Sequence, residues 1–163
     1  PEDQNRFTDP AIKTALGGAT RNQSVYNGLR ALRAAAPKQV LIHDVARPLI
    51  SAKCITDVIE ALQTHAGAAP ALPITDALWR GQDGLVSETV ARNNLFRAQT
   101  PQGFDFQSIL QAHAQACGAA ADDVEVAMQA GLDVKIIAGH EENIKITLPE
   151  DFERASKIMK DQR

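Results

Sequence analysis

Apolar residues recur along this chain at two alternating spacings. In "NQSVYNGLRALRAA", Val25, Leu29 and Leu32 share one face of a helix that begins near Asn22 or Gln23. "QVLIHD" follows with a continuous run, Val40 to Ile42, of the kind a strand buried on both faces shows. Helical spacing returns in "SAKCITDVIEALQTH", where Ser51 is placed to cap and Cys54, Ile55, Val58, Ile59 and Leu62 form a stripe. "GAAPALPI" reads as a strand of small residues, which requires a close neighbour. "FDFQSILQAHAQA" and "DDVEVAMQAG" read as helices, the second with acids in its first turn and Gly131 at its end. "DVKIIAG" and "ENIKITL" are two more short strands. "PEDFERASKIMKDQ" closes the chain as a helix with Pro149 at its first position. This alternation predicts an α/β fold with a mostly parallel sheet.

One region breaks the rhythm. From Thr75 to Thr100 the chain reads "TDALWRGQDGLVSETVARNNLFRAQT", with a turn signal, "GQDG", between two weakly alternating runs. A long hairpin inserted into the α/β unit fits this pattern, and it carries the only tryptophan. Two strands alone are marginally stable, so the hairpin is expected to pack on something, most simply a second subunit.

Composition narrows the classes of partner. A chain of 163 residues can bury one core, and its formal charge of −3 argues against a nucleic-acid polymer or an anionic membrane as partner. No apolar run reaches the length of a bilayer span, which predicts a soluble protein. Cys54 and Cys117 are far apart and form no metal spacing, which suggests two buried thiols on separate helices in a reducing cytoplasm. The polar opening "PEDQNRFTDPAIK" lacks an initiator Met and a signal sequence, and predicts a natural protein that continues upstream.

Four segments hold the candidate chemistry. In "VLIHDVARPLI" the apolar run ends in His43 and Asp44, and Pro48 forbids further pairing. A carboxylate at the carboxyl end of a strand is where open α/β sheets bind ligands, although a turn-capping Asp reads the same way. "LGGATRNQS" is a Gly-containing loop entering a helix, where free amides and the dipole favour an anionic or polar ligand; many such pairs are simple loops. "NIKIT" sets Lys145 between apolar neighbours, so it either reaches solvent from an edge strand or faces an anionic ligand. "ARNNLFRAQTPQ" supplies Arg92, Arg97 and Thr100, with Arg97 read as solvating the hairpin. His43, His65, His113 and His140 show no ligand spacing, His65 and His113 are expected on helix surfaces, and no Gly-x-Ser-x-Gly elbow occurs. What remains is a phosphate or nucleotide site that works by charge and positioning.

"GGATRNQSVYNGL", "VLIHDVARP", "LPITDALWR", "TVARNNLFRAQTPQ", "ADDVEVA" and "ENIKITLPED" occur in an order and spacing that resemble 2-C-methyl-D-erythritol 4-phosphate cytidylyltransferases. The likeness runs from about Gly17 to the last helix. Its wording is nearest the versions fused to a 2-C-methyl-D-erythritol 2,4-cyclodiphosphate synthase. The resemblance implies a Rossmann-like nucleotidyltransferase three-layer sandwich, of which residues 1–163 form the C-terminal portion and 75–100 a dimerisation and substrate-binding arm. It implies attack of the methylerythritol phosphate on the α-phosphorus of CTP, with Mg²⁺ as cofactor and pyrophosphate leaving.

The family's residue roles carry over as expectations. Lys145 and Asp44 are the catalytic pair, Asp44 also facing the metal. Gly18, Ala19 and Ser24 bind the nucleotide with them. Arg47, Asp76, Arg92 and Thr100 hold the sugar phosphate, Arg92 reaching across a homodimer. Two departures stand out: Ala77 replaces a substrate-contacting Thr, and the family's Gly-rich triphosphate loop lies upstream of these residues, so this segment alone is expected to be inactive. Alternatives are a cytidylyltransferase for another polyol phosphate, such as ribitol 5-phosphate, and a non-catalytic nucleotide-binding module.

Overall fold

A computed structural model describes residue 7 and residues 9–161. The described residues form seven strands and five α-helices, the expected α/β class, although β2 to β6 follow one another without a helix between them: α1 (Arg21–Leu32), β1 (Gln39–Ile42), α2 (Ala52–Ala61), β2 (Gly67–Pro73), β3 (Leu78–Gln82), β4 (Leu85–Val90), β5 (Phe96–Ala98), β6 (Gln102–Asp105), α3 (Phe106–Gln115), α4 (Asp123–Gln129), β7 (Val134–Ala138) and α5 (Pro149–Asp161). Among the described residues no helix is long and apolar enough to cross a membrane.

The main sheet has five strands, and β1, β2 and β7 share one direction. Only β2 and β7 pair directly in parallel, because β6 runs between β1 and β2 in the opposite sense. β5 and β6 are one segment along a single edge of β2, with Ala71 facing Ala98 and Ala68 facing Gly103. The two-residue difference in register falls at Gln99–Pro101, where the Thr100–Pro101 peptide is cis.

The apolar run of β1 serves two layers. Val40 and Ile42 pack with Leu29, Phe104, Phe106, Ile109, Leu110 and Val126 beneath α1, α3 and α4. Leu41 packs on the opposite face with Val58, Leu62 and Ala68 beneath α2. Small residues in the sheet allow α2 to lie close: a Cβ on Gly103 would stand 2.4 Å from Val58 Cγ1. The small-residue strand β2 likewise has Ala68 fully buried. Ser51 caps α2 as expected, accepting from the Cys54 amide.

α1 begins at Arg21, near Asn22 and Gln23 as expected, and Thr20 caps it, its hydroxyl accepting from the Gln23 amide. Other expectations need correction. "NIKIT" is extended but forms no strand; Ile146 makes one ladder-like bond to the Ala46 carbonyl, in a loop rather than a sheet. Cys54 is buried, and burial pushes its thiol up, but Cys117 is exposed beyond the end of α3. His65 is exposed as expected, whereas His113 is buried, because Asp123 on α4 draws it inward.

The hairpin forms outside the main sheet as β3 and β4. Asp83 and Gly84 both take positive φ, 52° and 80°, as a two-residue turn with the twist of a hairpin requires. Trp79 and Leu85 are 67 % and 75 % exposed on it, and among the described residues no layer covers the ribbon.

Candidate active site

β1 ends at Ile42, and the next residues turn back over the carboxyl ends of β1 and β2. Thr100 fixes that turn: its hydroxyl accepts the Asp44 amide at 3.0 Å and lies 2.9 Å from His43 Nδ1. His43 Nε2 is 3.0 Å from the Arg47 carbonyl. Thr100 donates to Nδ1 and Nε2–H donates to the Arg47 carbonyl in the proton placement that accommodates both contacts. Thr100 is only 5 % exposed, and these bonds occupy its hydroxyl.

Arg47 closes the turn from the other side. Its guanidinium donates to the Asn143 carbonyl at 2.7 Å and the Ala98 carbonyl at 3.3 Å, and its Nε lies 3.8 Å from Asp44 Oδ2. Burial pulls the Arg47 guanidinium down, against the opposing charge of Asp44. The segment carrying Lys145 is held by Gln99, whose amide donates to the His140 and Asn143 carbonyls and accepts from the His140 amide. Asn143 donates in turn to the Thr100 carbonyl at 2.9 Å.

These clamps bring Lys145 Nζ to 3.0 Å from Asp44 Oδ2. Lys145 remains 47 % exposed, so the ammonium faces solvent and Asp44 together. It borders a cleft of about 200 Å³ lined also by Arg47, Arg97, Gln99, Asn143 and Arg154. Glu141 and Asp151 line it as well, Glu141 paired with Arg97, which leaves Lys145, Arg47 and Arg154 as the cations the cleft offers an anion. Among the described residues no group of three His, Cys, Asp or Glu could hold a metal. Asp44 offers one carboxylate already shared with Lys145, which suits a Mg²⁺ ion that brings most of its ligands on a bound phosphate chain.

The expected residues divide into two groups. Asp44, Arg47, Thr100 and Lys145 come together at the strand ends. Arg92 and Asp76 are exposed and lie outside the residues lining the cleft. Gly18, Ala19 and Ser24 form the entry to α1, but its amides are engaged locally: Gly18 donates to Ser24 Oγ at 2.9 Å and Ala19 to the Gln23 side chain at 3.2 Å. Arg97 departs from its reading as a hairpin-solvating residue, since it lines the cleft and pairs with Glu141. Gln99, Asn143 and Arg154 were not singled out in the sequence; amides and a helix arginine carry no spacing signal that marks them.

The model of the family described as "IspD: 2-C-methyl-D-erythritol 4-phosphate cytidylyltransferase" matches residues 2–161. A "Bifunctional enzyme IspD/IspF" of Rhodobacter capsulatus is 56 % identical over 153 residues, covering 94 % of this chain and 40 % of that protein. A "2-C-methyl-D-erythritol 4-phosphate cytidylyltransferase" of Cereibacter sphaeroides is 54 % identical over 165 residues, covering 98 % of this chain and 73 % of its own. Among solved structures, the enzyme of that name from Thermus thermophilus superposes with a TM-score of 0.80 at 34 % identity, over 91 % of this chain and 77 % of the other. The chain therefore spans about two-fifths of the bifunctional relative and about three-quarters of the single-function one.

Proposed function

This chain belongs to the 2-C-methyl-D-erythritol 4-phosphate cytidylyltransferase family, and from that premise we propose that its protein transfers a cytidylyl group from CTP to methylerythritol phosphate in isoprenoid biosynthesis. The Lys145–Asp44 contact at the mouth of a cationic cleft carries this reading. In the reaction a phosphate oxygen of the sugar phosphate bonds to the α-phosphorus of CTP, the bond to the β-phosphate bridge breaks, and pyrophosphate leaves. Charge grows on the α-phosphoryl oxygens, and such chemistry needs preorganised cations more than covalent groups.

Lys145 supplies the cation at the α-phosphate, and Asp44 holds its ammonium in one place. Arg154 and Arg47 add to the positive field of the cleft, while Arg97 is held there in a pair with Glu141. Asp44 would be the carboxylate of this chain that holds Mg²⁺, which would supply charge neutralisation at the phosphate oxygens. Thr100 and Arg47 act through the turn they clamp, which sets the position of Asp44. Gly18, Ala19 and Ser24 form the shelf for the base, at the start of α1.

The hairpin, residues 75–100, serves as a dimerisation arm within a nucleotidyltransferase domain of which this chain is the C-terminal portion. Its uncovered Trp79 and Leu85 support a second copy as the occupant of that face. Arg92 and Asp76, which do not line the cleft of their own chain, then reach the sugar phosphate of the partner subunit. Unpaired Cys54 and Cys117 suit the reducing cytoplasm.

The test is pyrophosphate release by the full-length natural protein with CTP and Mg²⁺, offering methylerythritol phosphate and ribitol 5-phosphate in parallel. Turnover with methylerythritol phosphate alone is expected. A preference for ribitol phosphate moves the protein to another polyol, and inactivity with both sinks the enzyme reading in favour of a binding module.

A further inference from the structure

The described residues contain a second charged cluster, where α1, α3 and α4 meet, with Asp123 and His113 buried and Arg21 partly exposed. Asp123, the first residue of α4, has no exposed surface. Its Oδ2 accepts from Arg21 at 2.6 Å, and its Oδ1 accepts from His113 Nε2 at 3.1 Å. His113 Nδ1 is buried without a hydrogen-bond partner, so the ring joins the cluster through Nε2 alone. Burying a lone carboxylate is expensive, and a pair of this kind persists where its geometry is held from every side.

Gln102 supplies that hold. This residue is 1 % exposed, and its side-chain oxygen accepts both the Asp123 and Val124 amides, at 3.0 Å and 3.1 Å. Its nitrogen donates to Asp122 at 2.8 Å. The backbone of Gln102 lies opposite Ile42, the last residue of β1, one position before His43 and two before Asp44. At the far end of the cluster, Arg21 is the first residue of α1, directly after the Gly17–Thr20 turn. Asn22 adds a second tie from that first turn, to the Gly118 carbonyl at 3.4 Å. One unbroken set of contacts thus joins the strand end bearing Asp44 to the loop bearing Gly18 and Ala19.

We propose that Arg21 and Asp123, braced by His113 and Gln102, are positioning residues that set the Gly17–Thr20 loop against the Asp44 strand end, and that CTP affinity depends on this register. The proposal rests on the cytidylyl reading, since it assigns the loop to the base. Neither residue touches substrate. The effect is transmitted through the loop, so nucleotide binding responds while sugar-phosphate binding, governed by the opposite side of the cleft, does not.

Calorimetric titration of the full-length natural protein with CTP and Mg²⁺, and separately with methylerythritol phosphate, tests this. Asp123→Asn keeps the shape but turns an amide donor or a weaker acceptor toward Arg21, and Arg21→Gln removes the charge from the partly exposed end, where folding is least at risk. For Arg21→Gln the expected result is a rise of about tenfold in the CTP dissociation constant, with that for the sugar phosphate unchanged. Arg21→Lys, which keeps charge but loses the fork geometry, recovers part of the loss. A lowered melting temperature with CTP affinity intact in Arg21→Gln assigns the cluster to folding alone and overturns the proposal. No CTP binding by the unsubstituted protein overturns the cytidylyl reading itself, and the positioning claim with it.

Discussion

Lys145 Nζ and Asp44 Oδ2 stand 3.0 Å apart although no regular strand carries either residue. Their approach is produced by backbone clamps on both sides, Thr100 on the Asp44 amide and Gln99 and Arg47 on the 140–143 carbonyls. The pair sits at the carboxyl end of β1 and β2, the edge of an open α/β sheet where loops converge on ligands. A half-exposed ammonium beside one carboxylate contributes little to folding, since such pairs are worth about 0–1 kcal/mol. Its value is in fixing where the cation stands.

Lys145→Ala is therefore expected to lower kcat by about 10²- to 10³-fold, the loss typical of removing one preorganised charge-stabilising group. The melting temperature should hardly move. Steady-state kinetics beside a thermal melt separate the two readouts. Unchanged kcat with a lowered melting temperature in this variant makes Lys145 a structural residue.

Gly103 is required by the approach of α2 rather than by its backbone angles. In Gly103→Ala the new methyl stands 2.4 Å from Val58 Cγ1 and 3.0 Å from Leu62 Cδ1. Overpacking of this sort costs about 1–3 kcal/mol. Chemical denaturation should show that loss, and Val58→Ala in the same chain should recover part of it by opening the space. Strict additivity of the two losses contradicts direct contact as the cause.

Acid stability should depend on Asp123. Burial alone raises its carboxyl, but the bonds from His113 and Arg21, with their charge, outweigh burial and hold it below the ordinary value of 3.8. Among the titratable groups near it, Asp122 is the neighbour on its own side, bonded to Gln102. A carboxyl lowered by folding stabilises above its unfolded value, and that stability is lost as pH falls through the folded value. Asp123→Asn removes this term, costing about 3 kcal/mol at neutral pH by breaking a buried pair. Its unfolding free energy should then fall less steeply below pH 3.8 than that of the unsubstituted protein. Parallel curves across that range contradict a lowered Asp123.

Much of the architecture was legible because it is local. The 3.6-residue stripe of α2, the Ser51 cap and the Asp83–Gly84 turn each depend on residues a few positions apart. The placement of β6 was not legible. "PQGFD" carries no periodicity to say that it enters antiparallel between β1 and β2, since that is decided by Ile42 meeting Gln102 and Ala68 meeting Gly103. His113 was misplaced for the same reason: its polarity suggests a surface, and its partner Asp123 lies on another helix. At the site, Asp44 and Lys145 were visible as charges breaking apolar runs. Arg97 and Asn143 were hidden, because a cation in a polar hairpin and an amide in a loop look ordinary until the fold brings them to one cleft.

The hairpin sets the last expectation. Trp79 and Leu85 are 67 % and 75 % exposed, and Val86 beside them is 57 % exposed, on a ribbon that two strands alone do not stabilise. If a second copy covers this face, Leu85→Asp buries a charge in the contact and should convert a dimer to a monomer in sedimentation, with the rest of each chain still folded. Activity should fall with dimerisation, because Arg92 then no longer reaches a neighbouring cleft. Mixing Arg92→Ala subunits with Lys145→Ala subunits distinguishes that route from simple destabilisation. Each heterodimer holds one cleft with its own Lys145 and the partner subunit's Arg92, so mixing should restore a measurable fraction of turnover. Verified heterodimers that stay as inactive as their parents confine Arg92 to its own subunit, and a monomeric unsubstituted protein removes the arm's role altogether.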